Sequence, residues 1–396
     1  MGGNVETDAS FMRRAIALAR HGAGWTNPNP LVGAVIVKYG RVIGEGYHER
    51  YGEAHAERNA LADCARRGED PRGATLYVTL EPCCHTGKQP PCTEAVIEAG
   101  FARVVVGSRD PNPLVAGKGN ALLREAGICV DEDVLRVECD ELNPVFFHFI
   151  TKRRPYVVAK WAMTLDGKIA ARTGDARWVS GSRSRADVHE LRHRLAAIMV
   201  GSGTALADDP SLTARRDEPS NQPLRVVVDG SLRISEESQL VRTARDVPVL
   251  VATALPDGDE KAARLRELGV DVASIPGENG KVDLAGLMSE LGRRDVDSLL
   301  VEGGGGLHEA MFRAGLVDEV VVYLAPKVIG GAAAKTPVEG EGFAKMADAL
   351  LFGSPCIEHM GDDVKLVYGK HVAKGLGSFA TSLGDTGGGD GPCSLE

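Results

Sequence analysis

Two short runs in the first hundred residues carry side chains that could do chemistry. One is His55-Ala56-Glu57, and the other is Glu81-Pro82-Cys83-Cys84-His85-Thr86-Gly87-Lys88-Gln89-Pro90-Pro91-Cys92. One imidazole and two thiolates can hold zinc and leave a fourth position for water, and water held in that way ionises near neutral pH. A nearby carboxylate that is not a ligand can carry the water's proton to a heterocycle nitrogen and then to departing ammonia. His55, Cys83 and Cys92 are therefore the expected ligands, with Glu57 as the proton carrier. Cys92 opens a predicted helix, whose N-terminus favours a thiolate.

This spacing departs from the short Pro-Cys-x-x-Cys form, because nine positions separate Cys83 from Cys92. Cys84 and His85 lie between them as rival ligands. A closed structural zinc knuckle would recruit one of these two, but it leaves Glu57 without a role. A chance grouping of buried thiols is the other plain reading. Further along, Glu302-Gly303-Gly304-Gly305-Gly306-Leu307 follows an apolar strand and opens a helix. Backbone amides there could hold a phosphate with no side chain in the way, although an ordinary strand-to-helix turn has the same look. The run is not the G-x-G-x-x-G fingerprint of dinucleotide folds.

Alternating elements must position these groups. A helix is predicted near 9–21, strands in LVGAVIVK and RVIGEGY, a helix after His55, a strand in ATLYVTL, a helix from Cys92, a strand in ARVVVG and a helix near 118–126. A second α/β series runs from PYVVAKWAM through AAIMVG, LRVVVDG and VPVLVAT, a helix near 259–268, and DSLLVEGGGG into a further helix. The basic stretch Lys152, Arg153, Arg154, followed by Pro155, separates the two series. The expected units are 1–148, a zinc-dependent deaminase domain, and 149–373, a second α/β domain, with 374–396 as a disordered Gly-rich tail.

Composition narrows the functional classes. A chain of 396 residues exceeds what one typical core supports. The formal charge of −9 disfavours a nucleic-acid partner, which would call for a basic face. Small anionic substrates remain compatible, since a few local cations can bind a phosphate. No run of about 18 apolar residues argues for a membrane span, and no charged-then-apolar leader is seen. The expectation is a cytoplasmic protein without a membrane partner. Three of the eight cysteines fall within ten residues, which suggests a metal site rather than a disulfide scaffold.

The motifs closely resemble a known family. Thr26-Asn27-Pro28-Asn29-Pro30-Leu31-Val32-Gly33, Gly44-Glu45-Gly46-Tyr47-His48 and the long Cys83 to Cys92 insert resemble the bifunctional riboflavin-biosynthesis deaminase-reductases. The second half resembles them through Lys160-Trp161-Ala162-Met163-Thr164-Leu165-Asp166-Gly167-Lys168, Trp178, Gly201-Ser202-Gly203-Thr204, Ala207 to Arg215 and Val301 to Gly306. In that family the long insert is the normal form. The resemblance implies an α/β fold with an N-terminal cytidine-deaminase-like three-layer domain and a C-terminal dihydrofolate-reductase-like domain. It also implies zinc and NADPH as cofactors and a phosphorylated pyrimidine as substrate, deaminated first and then reduced at its ribosyl group. A homo-oligomer is expected for an enzyme of this size. A nucleoside or nucleic-acid base deaminase with an unrelated appended domain is the alternative.

The resemblance further implies individual roles. Asn29, His48 and Lys88 would contact the substrate in the deaminase pocket, although Asn29 could merely set a turn, His48 could lie on the surface and Lys88 could be an exposed cation. Ala162, Trp178, Thr204, Asp208, Gly304, Gly305 and Gly306 would lie near NADPH. Arg192, Leu212, Arg215 and Glu302 would lie near the reductase substrate, the two arginines offering forked donors to a phosphate. Lys160, a charge amid apolar neighbours, wants a partner or a ligand and is a secondary candidate. Two positions depart from the family pattern: Ala176 and Gly230 stand where serines are common.

Overall fold

The computed structural model describes residues 7–369. The expected tail from 374 lies outside the described residues. In chain order the first half comprises α1 Asp8–Ala19, β1 Gly33–Lys38, β2 Arg41–Tyr47, α2 Ala56–Arg66, β3 Thr75–Leu80, α3 Cys92–Ala99, β4 Arg103–Ser108, α4 Lys118–Glu125, β5 Cys129–Asp131, α5 Arg136–Asp140 and α6 Pro144–Lys152. Its five strands form one sheet in the order β2-β1-β3-β4-β5. β1 runs antiparallel to β2 and β3, whereas β3, β4 and β5 are mutually parallel.

The apolar run Ala34-Val35-Ile36-Val37 shows why this is a three-layer unit. Ala34 and Ile36 pack with Ala56, Ala60 and Cys64 of α2, Val96 of α3 and Leu123 of α4. Val35 and Val37 point the other way, to Phe11, Met12 and Ala15 of α1. Alternating side chains of a strand buried on both faces read as a continuous apolar run. Close approach of α2 to β2 depends on glycine: a Cβ on Gly46 would collide with the backbone of Ala60 and meet Ala56 O at 2.7 Å. That contact fixes the start of α2, where His55 and Glu57 stand.

The second half comprises β6 Tyr156–Thr164, α7 Ser182–Arg194, β7 Ala197–Gly201, α8 Ser202–Asp208, β8 Leu224–Val228, α9 Gln239–Arg242, β9 Val249–Thr253, α10 Glu260–Glu267, β10 Asp271–Ser274, α11 Leu284–Arg293, β11 Ser298–Val301, α12 Gly305–Arg313, β12 Glu319–Ala325, β13 Cys356–Met360 and β14 Asp363–Gly369. They make a nine-stranded sheet, β10-β9-β8-β7-β11-β6-β12-β14-β13, with β14 and β13 antiparallel at one edge. Helices cover both faces: α7, α9 and α10 pack beside Val158 and Ile198, while α11 and α12 pack beside Val157 and Met199. The junction expected at 148/149 falls inside α6. Phe146 of that helix packs into the first core, and its C-terminal end leads almost directly into β6.

Candidate active sites

The first site is assembled at the ends of α2, α3 and β3. His55 occupies the residue before α2, Glu57 its first turn, and Cys92 the first residue of α3. Cys83 follows β3 and is anchored by neighbours: its carbonyl accepts the Thr93 amide at 3.2 Å, and its Sγ accepts the Cys92 amide at 3.3 Å. Glu81 fixes the strand end, accepting the amides of Gly117 and Gly119, each at 3.0 Å. His55 Nδ1 lies 3.6 Å from Cys83 Sγ and 3.4 Å from Cys92 Sγ, and the three donor atoms lie within 4.8 Å of one another.

This donor set fits zinc. The hydrogen bond from Cys92 and that from His55 hold the Cys83 thiol down at about 4 although burial opposes it. Cys92 is pushed up by its bond to the Cys83 thiolate and by burial. Both sulfurs can be thiolates together only if a cation sits between them. Cys84 points elsewhere, toward Leu114 O at 3.7 Å. Among the described residues the cluster has three ligands and not four, which is the open form and not the closed knuckle. Cys84→Ser is accordingly expected to keep one zinc per chain and Cys92→Ser to lose it; metal analysis of the purified variants is the check, and loss of zinc from the first would reinstate Cys84 as a ligand.

A cavity of about 240 Å³ opens at the cluster, lined among others by Asn29, His48, His55, Glu57, Cys83 and Asp110. Glu57 is buried at 3% exposure; burial, then the adjacent Cys83 thiolate, push its carboxyl up from the usual range. A bound dication would oppose that shift. His48 donates one ring nitrogen to Ala54 O at 3.1 Å and meets Asn29 Nδ2 through the other at 3.2 Å; burial drives its pKa down to about 4, so it is neutral near pH 7. Lys88 is not among the cavity-lining residues: its ammonium rests over the Tyr51 ring, 3.8 Å from the centroid. Asp110 and Asn112, which no motif marks, also line this cavity, as does His85, the rival ligand, which lies outside the three-ligand cluster. Burial raises Asp110 to about 6, and His85 Nδ1 is buried with no hydrogen-bond partner among the described residues.

The second site lies at the carboxyl ends of β7, β8 and β11, where parallel sheets bind ligands. A cavity of about 1000 Å³ is lined by Gly201 to Thr204, Asp208, Asp229, Glu302 and Gly303 to Gly306. It shares Gly174, Ala176, Ala207 and Asp208 with a cavity of about 570 Å³ lined by Trp178, Arg192, Leu212 and Arg215. Gly304 precedes α12, so the amides of its first turn face the larger cavity. A Cβ on Gly306 would meet open space, and one on Gly304 would come within 3.7 Å of Thr204 Oγ1. The larger cavity and its amide-rich, side-chain-free wall suit a pyrophosphate-bearing cofactor.

The remaining candidates fall into two groups. Arg192 Nε and Nη2 donate to Glu302 at 3.0 and 2.9 Å, so its fork is already engaged, and Lys160 Nζ stands 3.7 Å from the same carboxylate. Burial opposes ionisation of Glu302, yet Arg192 and Lys160 hold it down at about 2. Arg215 reaches Ser211 Oγ at 2.8 Å and His189 Nε2 at 3.3 Å; His189 is a neighbour the motifs did not flag. Trp178 is exposed, with the Arg185 guanidinium 4.6 Å over its ring. Ala162, opposite Tyr323 in the sheet, lies outside the lining of either cavity. Ala176 and Gly230 both line the larger one, and a side chain at 230 would meet Gly280 O at 2.7 Å, so here the glycine is sterically required. Arg233, Lys281 and Lys335 add unforeseen cations to the cavity wall.

An open three-ligand zinc centre with a buried carboxyl, joined to a parallel-sheet domain with a glycine-lined cofactor cavity, defines a two-domain enzyme of the deaminase-reductase class. Comparison with known proteins agrees in both halves. Residues 5–108 match the cytidine and deoxycytidylate deaminase zinc-binding region, and residues 155–366 match the RibD C-terminal domain. The chain is 50% identical to riboflavin biosynthesis protein RibD of Actinobacillus pleuropneumoniae over 91% of this chain and 95% of that protein. It is 41% identical to RibD of Escherichia coli over 91% of this chain and 98% of the relative. A crystal structure from Thermotoga maritima, described as a diaminohydroxyphosphoribosylaminopyrimidine deaminase/5-amino-6-(5-phosphoribosylamino)uracil reductase, superposes with a TM-score of 0.82 at 37% identity, covering 92% of this chain and 98% of that one. The chain belongs to the RibD family of bifunctional deaminase-reductases of riboflavin biosynthesis. A base deaminase with an unrelated appended domain is not favoured, because the relatives span both halves. Among the described residues no helix is long and apolar enough to cross a membrane.

Proposed function

We propose that this chain performs two consecutive steps on one phosphorylated pyrimidine. The first is hydrolytic deamination of 2,5-diamino-6-ribosylamino-4(3H)-pyrimidinone 5′-phosphate. The second is NADPH-dependent reduction of the ribosyl group to ribityl, giving 5-amino-6-ribitylamino-uracil 5′-phosphate. The observation that carries this reading is the convergence of His55 Nδ1 and both cysteine sulfurs within 4.8 Å of one another, beside a cavity that His55, Glu57 and Cys83 line, on the same chain as the paired reductase cavities.

His55, Cys83 and Cys92 hold zinc, which when bound supplies a water acidic enough to attack at neutral pH. Glu57, buried and inclined to keep a proton, would accept one proton from the attacking water and give it to the ring nitrogen, then move the water's second proton to the amino group that departs as ammonia. Asn29 and neutral His48 orient the pyrimidine, and Lys88, held over the Tyr51 ring, supplies a cation on the loop beside the site. In the reductase, Thr204, Asp208 and Gly304 to Gly306 cradle NADPH, with Trp178 bounding the nicotinamide end; for Ala162, which lines neither cavity, only the family resemblance supports a cofactor contact. Glu302, oriented by Arg192 and Lys160, binds the ribosyl chain, while Leu212 and Arg215 shape the phosphate end. The engagement of Arg192 with Glu302 supports Arg215 as the direct phosphate contact. The functional units are 1–148 and 149–373, and the protein works as a cytoplasmic homo-oligomer.

Incubating the purified chain with the diamino substrate, with and without NADPH, tests the pair of activities. Ammonia is expected in both samples, and loss of nicotinamide absorbance only after deamination. Ammonia without NADPH oxidation would confine the reading to the first half, and no ammonia from zinc-loaded protein would overturn it.

A further inference from the structure

The loop between α1 and β1 is gripped from two sides. On one side Pro28, Asn29 and Pro30 line the zinc cavity. On the other, Asn27 Nδ2 donates to both carboxylate oxygens of Asp297, at 3.0 and 2.9 Å, across 270 positions of sequence. Asp297 stands just before β11, is 2% exposed, and receives Ser298 Oγ at 2.6 Å. Its carbonyl accepts the Tyr156 amide at 2.8 Å, which ties it to the start of β6. Nearby, Asn221 Nδ2 donates to Gly24 O at 3.1 Å, and Trp25 stacks edge-on against His193 with centroids 5.2 Å apart. Arg153 and Asp295, from the junction and the second half, line the zinc cavity directly.

We infer that the reductase half is a working part of the deaminase site, with Asp297 as the positioning residue for the loop that carries Asn29. The inference rests on the proposed role of Asn29 in binding the pyrimidine. A buried carboxylate is a costly way to glue two surfaces, since apolar groups of the same volume would do so without desolvating a charge. What it adds is direction. The Asn29 amide donates to Thr26 O at 2.7 Å, so Thr26 to Asn29 form one turn, and gripping Asn27 sets where Asn29 meets His48. A misplacement of about 1 Å in such a group can cost on the order of a hundredfold in rate.

The test uses the full chain at a pH where both carboxylates ionise. Asn27→Asp sets a second carboxylate against Asp297, and the double exchange Asn27→Asp with Asp297→Asn restores a complementary pair with donor and acceptor reversed. Deaminase kcat and KM, reductase kcat on directly supplied deaminated substrate, zinc content, and hydrogen exchange of the peptide spanning 24–31 are measured together. The single variant is expected to lose about tenfold or more in deaminase kcat/KM, mainly through KM, and to exchange the Asn29 amide faster. Zinc content and reductase kcat should be unchanged, and the double exchange should return both altered readouts to within about threefold of the parent. Asn27→Ala, which removes the donor without adding a charge, should show the same split in smaller measure. Unchanged exchange in both single variants, no recovery in the double exchange, or equal losses of zinc and of both activities would overturn the inference. If the parent chain releases no ammonia from the pyrimidine, the functional reading fails, and the exchange data alone still decide whether Asp297 holds the loop.

Discussion

Glu57→Gln is expected to retain one zinc per chain and to release ammonia roughly a thousandfold more slowly, the scale on which positioned proton transfer acts. The substitution is nearly isosteric in a position 3% exposed, so neither the start of α2 nor the three ligands should move. What changes is the proton. A carboxyl pushed up by burial and by the neighbouring Cys83 thiolate can both accept and return one, and an amide can do neither. Reductase turnover on directly supplied deaminated substrate should match the parent, because the reductase cavities are lined by other residues. Metal analysis, ammonia release and NADPH oxidation on one preparation make the check. Full ammonia release with zinc in place would sink the shuttle role, and loss of zinc would recast Glu57 as a ligand.

Much of the architecture was legible because it rests on local pattern. The apolar strands β1, β3, β4, β7 and β9 are buried on both faces and read as largely hydrophobic runs, and the His-Ala-Glu and Pro-Cys signatures name their own chemistry. The edge hairpin β13 and β14 escaped notice for a physical reason. Its sequence alternates charged and apolar residues like a solvated segment, yet Lys365 is fully buried, with Nζ 2.6 Å from Asp187 Oδ2 and Glu358 beside it. Burial of a paired charge leaves no trace in hydropathy. Helix α6 was obscured by its basic end, which resembles a linker although Phe146 and Phe149 are buried. Contacts between the halves, such as Asn27 with Asp297, have no local signature at all. The sequence could also not say that Arg192 spends its fork on Glu302 or that Lys88 rests on Tyr51, since both are matters of side-chain direction.

Glu302 offers the second large effect, because one substitution there strikes both stability and reduction. Its side chain, that of Arg192 and that of Lys160 are each 12% exposed, and a single carboxylate neutralises two cations. Glu302→Gln keeps the shape and leaves those cations uncompensated, which should lower the stability of the reductase half by about 3–5 kcal/mol. The pH dependence has a definite sign. Arg192 and Lys160 hold the folded-state carboxyl at about 2 against an ordinary 4.5, so its stabilisation is fully present above the ordinary value and fades as pH falls through the interval between the two. The gap between parent and variant in denaturant midpoint should therefore be widest near neutrality and narrow toward pH 3. Adding Lys160→Met to Glu302→Gln removes one stranded cation and should recover part of the lost stability, the signature of a coupled network and not of a packing defect. Reductase kcat/KM should stay down about ten- to a hundredfold in both variants, the worth of one charged hydrogen bond to the ribosyl chain. Recovery of reduction along with stability would mean that Glu302 serves only to neutralise its neighbours, and the substrate contact would then pass to Arg215 and the residues around it.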